Sequence, residues 1–163
     1  MQNNSDKIID ADELVRKWQL DVKSNLNEGL GFTNGCFDVV HVGHLDYLIN
    51  AKRHVERLVV GLNSDHSVRK LKGHARPINN QFDRAKFLSY FPFVDYIVIF
   101  DEDTPELLIK KLRPSVLIKG ADYKDVEIAG SEFLKENGGR VILESFLEGY
   151  STTNLIKKIK GTE

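Results

Sequence analysis

The chain has 163 residues, with 23 basic and 24 acidic side chains for a formal charge of −1. That is length for one domain with a real core, without the basic excess that nonspecific nucleic-acid binding requires. Its 41% hydrophobic and 29% charged residues are those of an ordinary globular protein. A single cysteine excludes an intrachain disulfide and points to the cytoplasm.

The first seven residues lack the apolar core of a secretion signal. The longest apolar run, around Val94 to Phe100, is strand-sized and too short to span a membrane. A cytoplasmic protein with neither nucleic-acid nor membrane partner is therefore expected.

Taken in order, residues 1–9 are polar and expected to fray. Leu14, Val15, Trp18 and Val22 recur at helical spacing and predict an amphipathic helix from Asp10 to about Val22, capped by Asp10 or Asp12. The division expected is a tail and helix over 1–29, then the main domain over 30–163. A strand follows at about Leu30 to Thr33, weakened by the flanking Gly29 and Gly31. Phe32 to Tyr47 reads as the end of that strand, a sharp turn suited by Asn34 and Gly35, and a helix start. That helix places Leu45, Leu48, Ile49 and Val55 on a core-facing stripe.

Arg57 to Leu62 is continuously apolar, as a strand covered on both faces should be. Asn63, Ser64 and Asp65 supply a turn and a helix cap. Lys70 to Asn80 reads as a basic loop holding Lys70, Lys72, Gly73, Arg76 and Pro77. A helix over Gln81 to Tyr90 leads to a strand over Val94 to Phe100. Thr104, Pro105 and Glu106 mark the next helix start, with Asp101, Glu102 and Asp103 as its helix-start charges. A strand at Val116 to Ile118, a helical segment within Lys124 to Asn137, a strand at Arg140 to Leu143 and a helix over Asn154 to Lys160 complete the chain. Leu107, Leu108, Leu112, Phe87, Phe91 and Phe93 are assigned to the core.

Strands alternating with helices predict an α/β fold: a single-domain, Rossmann-like, doubly wound five-stranded parallel sheet with an N-terminal helix. Ligands of such sheets bind at the carboxyl ends of the strands. Asn34 to His44, Asn63 to Asp65, Lys119 to Asp122 and Ser151 to Thr153 all fall at such ends.

His41 and His44 stand three apart at a helix N-terminus, so both imidazoles share one face where amides and the macrodipole favour an anion. Gly35 and Gly43 allow close approach of a bulky ligand. Donors converging in this way suit a phosphoryl group gaining negative charge. Metal ligation is the rival role, but Cys36, His54, His66 and His74 make no recognisable ligand set. His54 and His66 read as solvated, and Cys36 as a small packed residue. Lys72 and Arg76 could fold over phosphates. Ser151, Thr152 and Thr153 could cap a helix and hold phosphate oxygens at once. No G-x-G-x-x-G turn follows the first strand, which sets aside a redox Rossmann protein.

Phe32 to Asp38 followed by His41-x-Gly43-His44 resembles the signature of the HxGH nucleotidyltransferase superfamily. Gly61 to Asp65, Leu71 to Gly73, Arg76 to Asn79, Asp101 to Pro105, Leu117 to Gly120, Ile128 to Gly130 and Ser151 to Asn154 resemble one branch of it. That branch is the D-glycero-β-D-manno-heptose 1-phosphate adenylyltransferases, found alone or as the C-terminal half of a bifunctional heptose kinase/adenylyltransferase. The similarity runs from Leu30 to Ile159, and the length suggests the stand-alone form.

The resemblance implies transfer of AMP from ATP to the sugar 1-phosphate, with Mg²⁺ assisting, to give an ADP-heptose for the lipopolysaccharide core. It implies a catalytic role for His41, His44 and Lys72. Nucleotide contacts would come from Thr33, Asn34, Gly35, Phe37, Asp38, Gly43, Asn63, Asp65, Arg84, Lys119, Gly120, Asp122, Ser151, Thr152 and Thr153. For Arg84, substrate contact and scaffolding both stand open; Asp122 would hold ribose. Related cytidylyltransferases often carry an arginine where this chain has Glu148 to Tyr150, so any such phosphate role is either lost or passed to Lys157 or Lys158. The substrates are small molecules, and a homodimer is left open. The alternatives are a cytidylyltransferase acting on glycerol 3-phosphate or a similar phosphate, and a non-catalytic nucleotide-binding sensor.

Overall fold

Five strands run in one direction: β1 (Asn27–Gly35), β2 (Arg57–Asn63), β3 (Tyr96–Phe100), β4 (Pro114–Gly120) and β5 (Arg140–Glu144). They pair in the order β3-β2-β1-β4-β5. The computed structural model describes residues 4–20, 23, 25–121, 128–145 and 149–161. Among these, seven α-helices accompany the sheet: α1 (Ala11–Trp18), α2 (Val42–Arg53), α3 (Asp65–Lys72), α4 (Gln81–Ser89), α5 (Glu106–Leu112), α6 (Ser131–Glu136) and α7 (Thr152–Lys160).

Alternation along the strands builds two cores. Leu30, Phe32, Val59, Val98, Phe100 and Leu117 point to one face, where Leu14 of α1, Leu108, Ile109 and Leu112 of α5 and Leu134 of α6 cover them. Leu58, Val60, Leu62, Ile97, Val116 and Ile118 point to the other, under Tyr47, Leu48 and Ala51 of α2 and Ala85 and Leu88 of α4. The doubly wound α/β sheet is thus the expected one, and both faces of it are covered.

Several boundaries and faces differ from expectation. β1 extends well beyond Leu30 to Thr33. Its early residues are held to β4, since Asn27 donates its amide to the carbonyl of Arg113 (2.7 Å) and its side chain to that of Leu112 (2.7 Å). Gly31 is glycine for a packing reason: a Cβ there would lie 2.5 Å from a methyl of Val55. Residues 4–9 are ordered, with a 3₁₀ turn over Asn4–Lys7 and Ile8 bridged to Ile97 along the β3 edge. Asp10 caps α1 through the amide of Glu13 (2.8 Å), but left-handed Gln19 ends the helix earlier than predicted; Val22 lies outside the described residues.

The buried face of α2 is Tyr47, Leu48 and Ala51, while Ile49 is exposed. Phe87 and Leu107 are also exposed, against their assignment to the core. Lys70 and Lys72 belong to the last turn of α3 rather than a loop, because Ser64 caps that helix at once after β2 and it propagates for two turns. Pro105, not Thr104, occupies the cap position of α5.

Candidate functional site

The chain leaves β1 towards β2 on one side and enters β4 on the other. The sheet therefore opens a crevice between the carboxyl ends of β1 and β4, where such sheets bind ligands. Lys119 near the end of β4 donates to the side-chain carbonyl of Asn34 near the end of β1 across this gap. Beneath it, the Tyr47 hydroxyl bonds the Thr33 hydroxyl (2.7 Å) and donates to the carbonyl of Ile118 (3.1 Å), tying the two strands. Above lies a cavity of about 770 Å³, a size suited to a nucleotide-scale ligand.

The turn from β1 into α2 forms the cavity floor. The left-handed residue in that turn is Phe37 (φ 45°), not Asn34 or Gly35, which finish the strand. A left-handed conformation costs a bulky residue roughly 1–2 kcal/mol. Here burial of the ring and its contact with His44 (5.4 Å between centroids) offset that cost.

His41 caps α2 and His44 lies one turn on, with ring centroids 3.9 Å apart. The amide of His41 donates to Nδ1 of His44 (3.3 Å). Burial, with His41 and the charge of Lys72 adding to it, lowers the pKa of His44 to about 4. Neutral His44 therefore carries its proton on Nε2, a donor for the cavity it lines. Burial likewise lowers the pKa of His41, whose Nδ1 is turned back against Gly43 at the start of α2. Gly43 is needed for this packing, since a Cβ there would sit 3.1 Å from the His41 ring and 3.2 Å from Cβ of Tyr150. Tyr150 stacks on His41, 6.2 Å between centroids.

One wall comes from β2, α3 and the loop after it: Asn63, Leu71, Lys72 and Arg76, with Asp103, Thr104 and Pro105 beside them. The acidic run 101–103 is not a set of helix-start charges. Asp101 binds Ser64 and His66 (3.1 Å to the latter), and Asp103 pairs with Lys70 (3.0 Å), which fastens α3 to the loop after β3. His54 faces Glu144. The other wall is Lys119, Gly120 and Ser151 to Thr153. Ser151 caps α7 through the amide of Asn154 (3.0 Å), and Thr152 donates to the carbonyl of Val39 (3.1 Å), docking that helix start onto the β1–α2 turn.

Of the residues named from sequence, the cavity brings together His41, His44, Lys72, Asn34, Gly35, Phe37, Asp38, Gly43, Asn63, Lys119, Gly120, Ser151, Thr152 and Thr153. Thr33 lies beneath it, bonded to Tyr47. Arg84 and Asp65 lie behind the wall. Arg84, 2% exposed, donates to Asp65 (2.8 Å) and to the carbonyls of Asn79 (3.0 Å) and Cys36, which is a scaffolding role. Asp122 is outside the described residues.

Asp38 is buried and takes the amides of Ile78 (2.8 Å) and Asn79 (2.9 Å) and the guanidinium of Arg76. Burial pushes its carboxyl up, but these donors outweigh that and hold it below the usual range. Tyr47, Leu71, Thr104 and Tyr150 line the site without having been singled out. Tyr47 stands three residues after His44, on the same helix face, and Leu71 and Thr104 fall in segments that resemble the nucleotidyltransferase branch.

A parallel sheet of this order, with a histidine-bearing helix start at its switch point and a hydroxyl-rich helix start facing it, defines an α/β enzyme built for phosphate chemistry. The chain belongs to the cytidylyltransferase-like family, whose model matches residues 32–158, and is a nucleotidyltransferase. It is 53% identical over 95% of its length to the bifunctional protein HldE of Campylobacter fetus, and 60% identical over 81% to that of Campylobacter concisus. The HldE of Wolinella succinogenes is 55% identical over 80%. The chain spans 27–32% of the length of these relatives.

A crystal structure of a lipopolysaccharide core biosynthesis protein from Thermoplasma volcanium shares the fold, with a TM-score of 0.60, 24% identity, and coverage of 75% of this chain and 98% of that one. No helix among the described residues is long and apolar enough to cross a membrane.

Proposed function

We propose that this chain transfers AMP from ATP to D-glycero-β-D-manno-heptose 1-phosphate, giving ADP-heptose and pyrophosphate. A phosphate oxygen of the sugar 1-phosphate attacks the α-phosphorus. One P–O bond forms as the bond to the bridging oxygen breaks, and pyrophosphate leaves with the electron pair. Such a transfer needs positioning and charge stabilisation rather than a covalent enzyme intermediate.

The observation that carries this is the histidine pair. Neutral His44 offers Nε2–H, and the His41 ring stands beside it, 3.9 Å between centroids, on the same cavity. Donors held rigid in a partly dry site act on charge as it develops, and each is worth about 3 kcal/mol, or about 10²-fold in rate. Lys72 adds a positive charge, while Ser151 to Thr153 and the α7 amides suit the departing pyrophosphate. The relatives named HldE support the choice of acceptor.

A Mg²⁺ would be carried on the triphosphate by phosphate oxygens and water. Bound so, it would neutralise charge on the leaving group.

Pyrophosphate release tests the assignment. ATP, CTP, GTP and UTP are each paired with the heptose 1-phosphate and with glycerol 3-phosphate, with His44→Ala as control. Turnover with ATP and the heptose phosphate, lost in the variant, is the expected result. Turnover with CTP and glycerol 3-phosphate would give the chain the other activity, and ATP binding without turnover would make it a sensor.

A further inference from the structure

Arg76 lines the cavity with Nε as the one side-chain nitrogen hydrogen-bonded among the described residues. Its Nε donates to Asp38, and the same carboxylate takes the amides of Ile78 and Asn79, so the loop carrying Arg76 is fixed to the β1–α2 turn. Arg84 fixes the loop from behind through the carbonyl of Asn79. The Arg76 side chain is 15% exposed and lines the cavity, yet its Nη2 is buried with no hydrogen-bond partner among the described residues. A buried guanidinium N–H without an acceptor is costly, and a phosphate oxygen is its best match. Lys72, on the same wall, makes no ion pair with any described residue.

We infer that Arg76 binds the phosphate of the acceptor, so that the β2 side of the cavity is a phosphomonoester subsite; this rests on the transfer proposed above. In an in-line displacement the attacking oxygen and the leaving pyrophosphate stand on opposite sides of the α-phosphorus. β1 lies between β2 and β4 in the sheet, and the histidines of α2 follow β1. Lys119, near the end of β4, lies on the β4 side, and the α7 start, docked on the β1–α2 turn, offers hydroxyls and amides suited to pyrophosphate. The wall of Lys72 and Arg76 is the opposite one. Asp38 orients the guanidinium rather than touching the ligand.

The test is calorimetric binding of D-glycero-β-D-manno-heptose 1-phosphate and of glycerol 3-phosphate to protein saturated with α,β-methylene-ATP. Wild type is compared with Arg76→Gln and with Arg76→Lys, which keeps the charge beside Asp38 and covers the case in which the glutamine variant does not fold. Loss of one charge-assisted contact should weaken the phosphomonoester by about 10- to 100-fold, with affinity for the ATP analogue within about twofold. Unchanged phosphomonoester affinity, a loss falling on the ATP analogue instead, or no phosphomonoester binding to wild type would each overturn the assignment. Binding of glycerol 3-phosphate alone, weakened in the variants, would uphold Arg76 while removing the heptose acceptor, so the two failures are distinguishable.

Discussion

The backbone N–H of His41 donates to Nδ1 of His44 across 3.3 Å. That one bond decides which nitrogen of His44 faces a ligand as a donor. It also opposes protonation, because a protonated ring would bring a second N–H against the amide.

The folded protein should therefore hold His44 as the Nε2–H tautomer at neutral pH, with a titration midpoint near 4 rather than 6.5. Long-range ¹H–¹⁵N spectra of the free protein check both points; a midpoint above 6 would sink them. The stability consequence has a definite sign. Between pH 6.5 and 4 the unfolded chain takes up a proton at this residue that the folded chain does not, so stability falls as pH falls through that window and levels off below it. The loss is about 3 kcal/mol at most, given the partial exposure of the ring. Denaturant midpoints against pH for wild type and His44→Gln isolate it: the gap between the two should narrow as pH drops from 6.5 to 4.

Gly43→Ala separates catalysis from folding. An extra methyl early in α2 favours the helix by up to about 1 kcal/mol, but it meets the His41 ring at 3.1 Å and Cβ of Tyr150 at 3.2 Å. The ring must shift by a few tenths of an ångström, part of the roughly 1 Å misplacement that can cost about 10²-fold in rate. The expected variant melts close to wild type and turns over at least tenfold more slowly. A variant that melts far below wild type would show that the glycine serves the fold instead.

Arg84 was legible in the sequence as an arginine of interest, though not as a buried brace. Arg84→Met leaves the carboxylate of Asp65 and the carbonyls of Asn79 and Cys36 without their donor, which should cost about 3 kcal/mol or more. Arg84→Lys reaches one of the three acceptors and recovers only part. Urea titrations at constant slope measure both.

How far the sequence could be read follows from which contacts are local. The two-sided apolar strands and the helix caps at Asp10, Ser64 and Ser151 are local patterns, and from them follow the α/β class and most element starts. The face of α2 was misjudged because Leu45, Leu48 and Ile49 define a stripe only within about a helical turn, and the sheet selects Tyr47, Leu48 and Ala51. The weld of Asp38 to residues 78 and 79 joins positions 40 and 41 residues apart, and that of Arg84 to Cys36 positions 48 apart. No periodicity carries that information. Nor could the sequence explain the glycines of β1, whose partner is a side chain on the following connection.

That partner supplies a last test. A Cβ at Gly31 would fall 2.5 Å and 2.8 Å from the two methyls of Val55 and 3.0 Å from its Cβ. Val55 packs against the core on the α2 side of the sheet, so it cannot simply rotate away. Gly31→Ala should therefore destabilise by about 1–3 kcal/mol through overpacking, despite alanine's better backbone entropy. Val55→Ala alone removes two partly buried methyls at about 1–2 kcal/mol. In the double variant the new methyl occupies part of the space the valine vacates, so the two losses should fall short of additivity by about 1 kcal/mol or more. Denaturation of the four proteins closes the cycle. Strict additivity would mean that the strand shifts to accept the methyl, and that Gly31 is tolerated there rather than required.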